Sequence, residues 1–323
     1  MSFLKSTFLI LSIRKLSEAI EALCQPCTLA AGVRRADLGV VYSGLIKPCL
    51  IAKTSVPVYR MCDRDSWTVS VKFHDHSNLV ISDFFTGLGY ILSSQAYGLR
   101  SLSERIELLA LYAKICKLSS PLVQSRPPTT VQLLWVNSPH KGDNRLALGS
   151  SLAWLKVRSH FQMARAVREG ILRDIWGSTS ALINPTPMQT CFPNPVGALF
   201  GSCWGDCAEA ISLSAFWKLV ASGAPLGTLA FNVASMNAVD PAIGLSACDI
   251  ILENAGKLTL QKIFEVLTRA GAFRPMCKNC EHLRDAVAAN IVDCAHPEFW
   301  LELGYSEDSA PHILSTCESS SRP

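Results

Sequence analysis

Residues 205–210 read Gly-Asp-Cys-Ala-Glu-Ala, and residues 274–281 read Arg-Pro-Met-Cys-Lys-Asn-Cys-Glu. Each stretch opens a segment of helical pattern. The amino end of a helix carries unsatisfied N–H groups and partial positive charge, which lowers thiol pKa and favours thiolate. Thiolate is the form that binds zinc. Cys277 and Cys280 stand three apart, so one helical turn can aim both at one ion. Cys207, from a separate helix, would make a third ligand and leave one tetrahedral position open, as in a catalytic site. Glu209, two residues beyond Cys207, is close enough to exchange protons with water at such a centre.

Working outward, the pattern on either side alternates helix and strand. The 184–206 approach is rich in Pro, Gly and Asn and reads as extended loop. A helical pattern follows Asp206 to Val220, and Thr228–Ala234, TLAFNVA, reads as a strand buried on both faces. Helices are expected over 258–270 and 277–290, with Ile291-Val292-Asp293-Cys294 as a short strand. Upstream, VQLLWV is a short apolar segment, 139–144 a loop and 146–169 a long helical pattern. This alternation favours an α/β layer architecture.

Ser125-Arg126-Pro127-Pro128-Thr129-Thr130 is the best linker candidate, because paired prolines resist both helix and ladder. It divides a mostly helical N-terminal region, 1–125, from a zinc domain over 126–304, with an insertion at about 235–270 and a disordered tail over 305–323. Within the first region, residues 1–30 read as an amphipathic helix and Trp67–Phe73 alternates like a strand. Ser101 and Glu104 form a capping box opening a helix that stops near Pro121.

Composition narrows the partners. The 323 residues are 49% hydrophobic and 17% charged, with a net charge of +4 and no concentrated Lys/Arg stripe. That balance favours a small substrate over nucleic acid. No apolar stretch has bilayer-spanning length. Thirteen cysteines, many inside apolar runs such as Cys116 and Cys248, suit buried thiols in a reducing cytoplasmic or nuclear compartment.

The Cys207-Ala208-Glu209 motif followed by Cys277-x-x-Cys280 resembles the cytidine-deaminase-like superfamily of zinc-dependent nucleoside and nucleobase deaminases, in its three-cysteine variant. The Pro- and Gly-rich approach is similar to fungal deaminase-like families. The resemblance covers roughly residues 184–295 and implies a three-layer α/β/α core. It implies zinc on Cys207, Cys277 and Cys280, with Glu209 as proton shuttle and not a ligand. It places Asn194 and the backbone of Ala208 near the substrate, and Trp204 is a further substrate-side candidate because it lies close to Cys207 in sequence. The implied reaction is hydrolytic deamination of a cytosine- or adenine-type base, nucleoside or nucleotide, and homo-oligomers are common in the family. The sequence departs from the family where Met276 separates Pro275 from Cys277, and where the 235–270 insertion, a candidate lid, lengthens the path between the motifs. Arg274 or Lys278 would offset the negative charge of three thiolates.

Other readings stand beside these. Asp206 and Glu209 have the spacing of a helix capping box, which requires no chemistry. Cys24 and Cys27 form a second Cys-x-x-Cys without a partner motif and read as core thiols. Cys203, His74, His76, His140 and His282 read as packing, strand, loop or helix-surface residues. A catalytically inactive binding module that keeps a structural zinc is the alternative function.

Overall fold

The computed structural model describes residues 18–22, 35–56, 68–73, 77–96, 99, 101–137, 145–153, 158–177, 206–276, 280–281, 284–285 and 289–303. Helices α1 (Arg35–Val41) and α2 (Lys47–Ala52) are joined by a π-helical turn, Tyr42–Ile46. An antiparallel hairpin follows, β1 (Val69–Phe73) with β2 (Ser77–Ile81), then α3 (Phe84–Gln95) and α4 (Leu102–Ser119). The sheet strands are β3 (Thr130–Val136), β4 (Leu146–Ser150), β5 (Leu226–Asn232) and β6 (Ile291–Asp293). Between β4 and β5 run α5 (Arg158–Gly177), α6 (Glu209–Ala215) and α7 (Trp217–Ala221). After β5 come α8 (Val233–Asn237), α9 (Ala247–Glu253) and α10 (Leu260–Arg269), and α11 (Pro297–Glu302) follows β6. No helix among the described residues is long and apolar enough to cross a membrane.

The four-stranded sheet has the order β4-β3-β5-β6, with β3 antiparallel to both neighbours and β5 parallel to β6. Strands β4, β5 and β6 therefore run the same way, and each connection between them is a crossover. Side chains alternate across the pleat, so neighbours on β3 report its two faces. Gln132 bonds Ser212 of α6, whereas Trp135 lies beneath the Arg105 guanidinium of α4 at 4.9 Å. Helices cover both faces, and the chain is an α/β protein. The sheet is buried on both sides, with β3 buried from Val131 to Val136 and β5 from Leu226 to Phe231.

Several local expectations are met. Ser101 and Glu104 make both bonds of the capping box, and α4 runs to Ser119. TLAFNVA lies in β5 except for its last two residues, which begin α8. Residues 260–269 form α10, capped by the Thr259 hydroxyl accepting from the Lys262 N–H. Residues 280–281 and 284–285 are helical, and β6 begins at Ile291.

One expectation is corrected. Residues 146–150 are a strand rather than the front of a helix: Leu146–Ser150 pairs along β3, and the helix starts at Arg158. The strand expected over Trp67–Phe73 forms as β1, and β2 (SNLVI) returns along it. The Pro127-Pro128 stretch is irregular chain between α4 and β3. Helix α4 precedes it yet packs on β3 and β5, and one cluster of buried side chains runs from Ala19 to Trp300.

The outer edge of β4 is covered as well. The Ser93 hydroxyl of α3 accepts from the Leu148 N–H at 2.9 Å and donates to the Gly89 carbonyl at 2.7 Å. The 235–270 insertion does not form a lid over α6. It clasps α4 on the opposite face along one helical stripe. The Gly256 N–H donates to Glu107 at 2.5 Å, the Cys248 thiol to the Ala110 carbonyl at 3.4 Å, and Lys114 pairs with Asp249 at 2.5 Å. Phe264 stacks on Trp300 at 4.8 Å and locks the insertion to α11.

Candidate metal centre

The turn Asp206–Ala208 leads into α6 and carries Cys207. It rests on the carboxyl end of β4, where the Leu152 N–H donates to the Asp206 carbonyl at 2.8 Å. Gly149 lets the turn approach, because a β-carbon there would overlap the Ala208 carbonyl oxygen. Ala208 is the N-cap position of α6 and makes no side-chain cap bond, so Glu209 is the first helical residue.

The second strand of the site descends from the end of β5. The Asn232 N–H donates to the Ala272 carbonyl, the Arg274 N–H to the Ala230 carbonyl at 3.0 Å, and Phe273 bridges Phe231. At Met276 the chain meets Asp293 at the end of β6, whose carboxylate accepts from the Met276 N–H and the Ala295 N–H at 2.9 Å each. Burial pushes the Asp293 carboxyl up, against these two N–H groups and the nearby His296 and Arg284 charges. The chain then reaches Cys280.

These two approaches bring Cys207, Glu209 and Cys280 together. One ligand atom from each, two sulfurs and a carboxylate oxygen, lie within 4.8 Å of one another, and all three residues are buried. A donor set of two thiolates and a carboxylate this close together could hold a metal ion. Neither cysteine is in a disulfide. Cys277, Asn194 and Trp204 lie outside the described residues, as do Cys203, Lys278 and His282. The loop histidine His140, the paired His74 and His76, and Cys24 with Cys27 lie outside them too.

The capping-box reading of Asp206 and Glu209 is not what forms. The Asp206 carboxylate turns to Arg165 of α5, accepting from Nε at 2.8 Å and Nη2 at 2.7 Å. Glu209 is instead 5% exposed and sits among the sulfurs, a costly place for a carboxylate with only a capping role. Behind it, the Ser212 hydroxyl donates to Gln132, and Gln132 Nε2 donates to Thr228 at 2.6 Å, which ties α6 to β3 and β5. Sequence reading missed Arg165, Gly149 and Asp293, since each acts through a partner distant in the chain.

The other buried thiols are of a different kind. Burial raises Cys49, Cys116 and Cys248 well above the ordinary thiol range and pushes Cys294 up to about 12, with the Asp293 charge adding to the last. They behave as small apolar side chains. Compared with known protein families, curated proteins and solved structures, the chain matches none.

Proposed function

We propose that the chain is a zinc-dependent hydrolytic deaminase acting on a cytosine- or adenine-type base, presented as free base, nucleoside or nucleotide. The observation that carries this reading is the buried convergence of Cys207, Glu209 and Cys280, drawn from two segments far apart in sequence. Cys207 and Cys280, with Cys277 from the same Cys-x-x-Cys pair, would hold the ion. Zinc in such a site would supply an activated water for attack on the amino-bearing carbon. Glu209 takes a proton from the attacking water and passes it to the ring nitrogen. It then takes the remaining proton of the added hydroxyl as that oxygen becomes the carbonyl and delivers it to the departing amino group, so that water enters and ammonia leaves with no net change of protons.

The sheet supports a deaminase-like α/β/α core. Cys207 lies on the crossover from β4 to β5, in the turn that rests on the carboxyl end of β4, and Cys280 lies on the crossover from β5 to β6. Ligand sites of α/β sheets lie beyond the carboxyl ends of parallel strands, where such crossovers start. The lack of a concentrated Lys/Arg stripe in the sequence favours a small substrate over nucleic acid. Six described cysteines are buried free thiols, in keeping with a cytoplasmic or nuclear setting.

The test joins metal analysis to ammonia release from a panel of cytosine, cytidine, adenine, adenosine and their monophosphates. Purified protein is expected to hold about one zinc per chain. Glu209→Ala is expected to abolish ammonia release while zinc and fold remain. If that variant loses its zinc instead, Glu209 is a ligand of a closed, structural site and the chain is a binding module. A wild-type chain that folds fully without zinc removes both readings.

A further inference from the structure

Helix α5 carries two arginines three residues apart, which places them on one face. Arg168 is fully buried. Its Nη1 donates to the Ser150 carbonyl at 2.9 Å, and its Nη2 donates to the Asp83 carboxylate and the Thr86 hydroxyl at 2.7 Å each. Asp83 in turn caps α3 by accepting from the Thr86 N–H at 3.0 Å. Helix α5 is thereby pinned to the end of β4 and the start of α3. Burying this pair is costly, and the cost is met because the guanidinium and the carboxylate both have further hydrogen-bond partners.

Arg165 extends from the same face to the turn before Cys207. Its two parallel bonds to Asp206 form a fork-to-fork pair, the most directional geometry available to an arginine and a carboxylate. Asp206 is held a second time through its carbonyl, by the Leu152 N–H. Helix α6 has no side-chain cap, so its own first turn does not fix the direction in which Cys207 leaves the backbone. We infer that Arg165 is a positioning residue that sets the metal affinity of the site: through Asp206 it holds the Cys207 turn in the orientation that lets its sulfur meet that of Cys280. This inference rests on the metal reading of the site above.

The test measures zinc affinity by competition with a chromophoric chelator for wild type, Arg165→Ala, Arg165→Lys, Asp206→Asn and the double variant Arg165→Ala/Asp206→Asn. Cobalt(II) absorption reports ligand geometry, and melting of the metal-free proteins reports the fold. Arg165→Ala is expected to weaken zinc binding about 10- to 100-fold, the range for residues that orient metal ligands. Arg165→Lys should recover only part, because a point charge does not reproduce the fork. The double variant should bind no more weakly than the worse single variant, as two members of one unit do. The cobalt spectrum of Arg165→Ala should change, while its metal-free midpoint stays near wild type.

Unchanged zinc affinity in Arg165→Ala overturns the inference and leaves the proposed function standing. So does a fall in metal-free stability as large as the fall in metal binding, since the pair is then structural only. If Arg165→Ala does not fold, Arg165→Lys and Asp206→Asn decide the matter by the same measurements. A wild-type chain without zinc overturns both the inference and the function it rests on.

Discussion

Gly149 of β4 and Ala208 at the start of α6 meet backbone to backbone, so that no side chain at 149 fits beneath the Ala208 carbonyl. The obstructing atom belongs to the main chain and cannot rotate away. Gly149→Ala should therefore push the Asp206–Ala208 turn off the sheet and carry Cys207 with it. Overpacking of this kind costs about 1–3 kcal/mol. A lowered urea midpoint together with lost zinc is the expected result, and a variant that melts and binds metal like wild type would contradict the contact.

Asp249 gives the fold a dependence on acid. Desolvation pushes its carboxyl up, but the Lys114 ammonium and the Ser246 hydroxyl and N–H outweigh that and hold it below the usual range. A carboxyl whose native pKa is depressed adds stability above its unfolded value, about 3.9, and loses it as pH falls through the lower native value. Asp249→Asn should therefore be less stable than wild type at pH 6, and the gap between the two should close as pH falls from the unfolded value through the lower native one. Denaturant midpoints of both proteins across that range check the sign. A gap that is constant with pH would show that Lys114 does not act on the ionised form.

Removing the metal should sort the cysteines into two groups. In native protein at neutral pH, Cys49, Cys116, Cys248 and Cys294 should resist iodoacetamide, because burial keeps them protonated. Cys207 and Cys280 should resist it only while metal is bound, and should label after chelation. Peptide mapping by mass spectrometry reads both groups in one experiment. Protection of Cys207 and Cys280 that survives chelation would mean that packing alone shields them.

What could be read from the sequence was local. Ser101 and Glu104 announce the start of α4 because both capping partners lie within one turn, and both bonds form. The apolar run of β5 is a buried strand as its composition implies. Cys207 and Cys280 were matched by motif chemistry, and their sulfurs lie near one another. The misreadings involve partners far along the chain. LALGS is apolar in a way that suits helix and strand alike, and only its pairing with β3 decides. Asp206 has a local partner at the right spacing, yet its carboxylate goes to Arg165, 41 residues upstream. The prolines at 127 and 128 do break the chain's regular structure, but α3 and α4 fold back across that break onto the sheet that follows it.

Ser93 shows how far that folding back matters. The bond from the Leu148 N–H to its hydroxyl occupies the outward side of the first strand in the sheet order. A fragment starting at the prolines would leave that strand with naked donors and acceptors, ready to recruit a neighbouring molecule. The half of the chain that carries the cysteine motifs would then present an open edge, which α3 covers in the full chain.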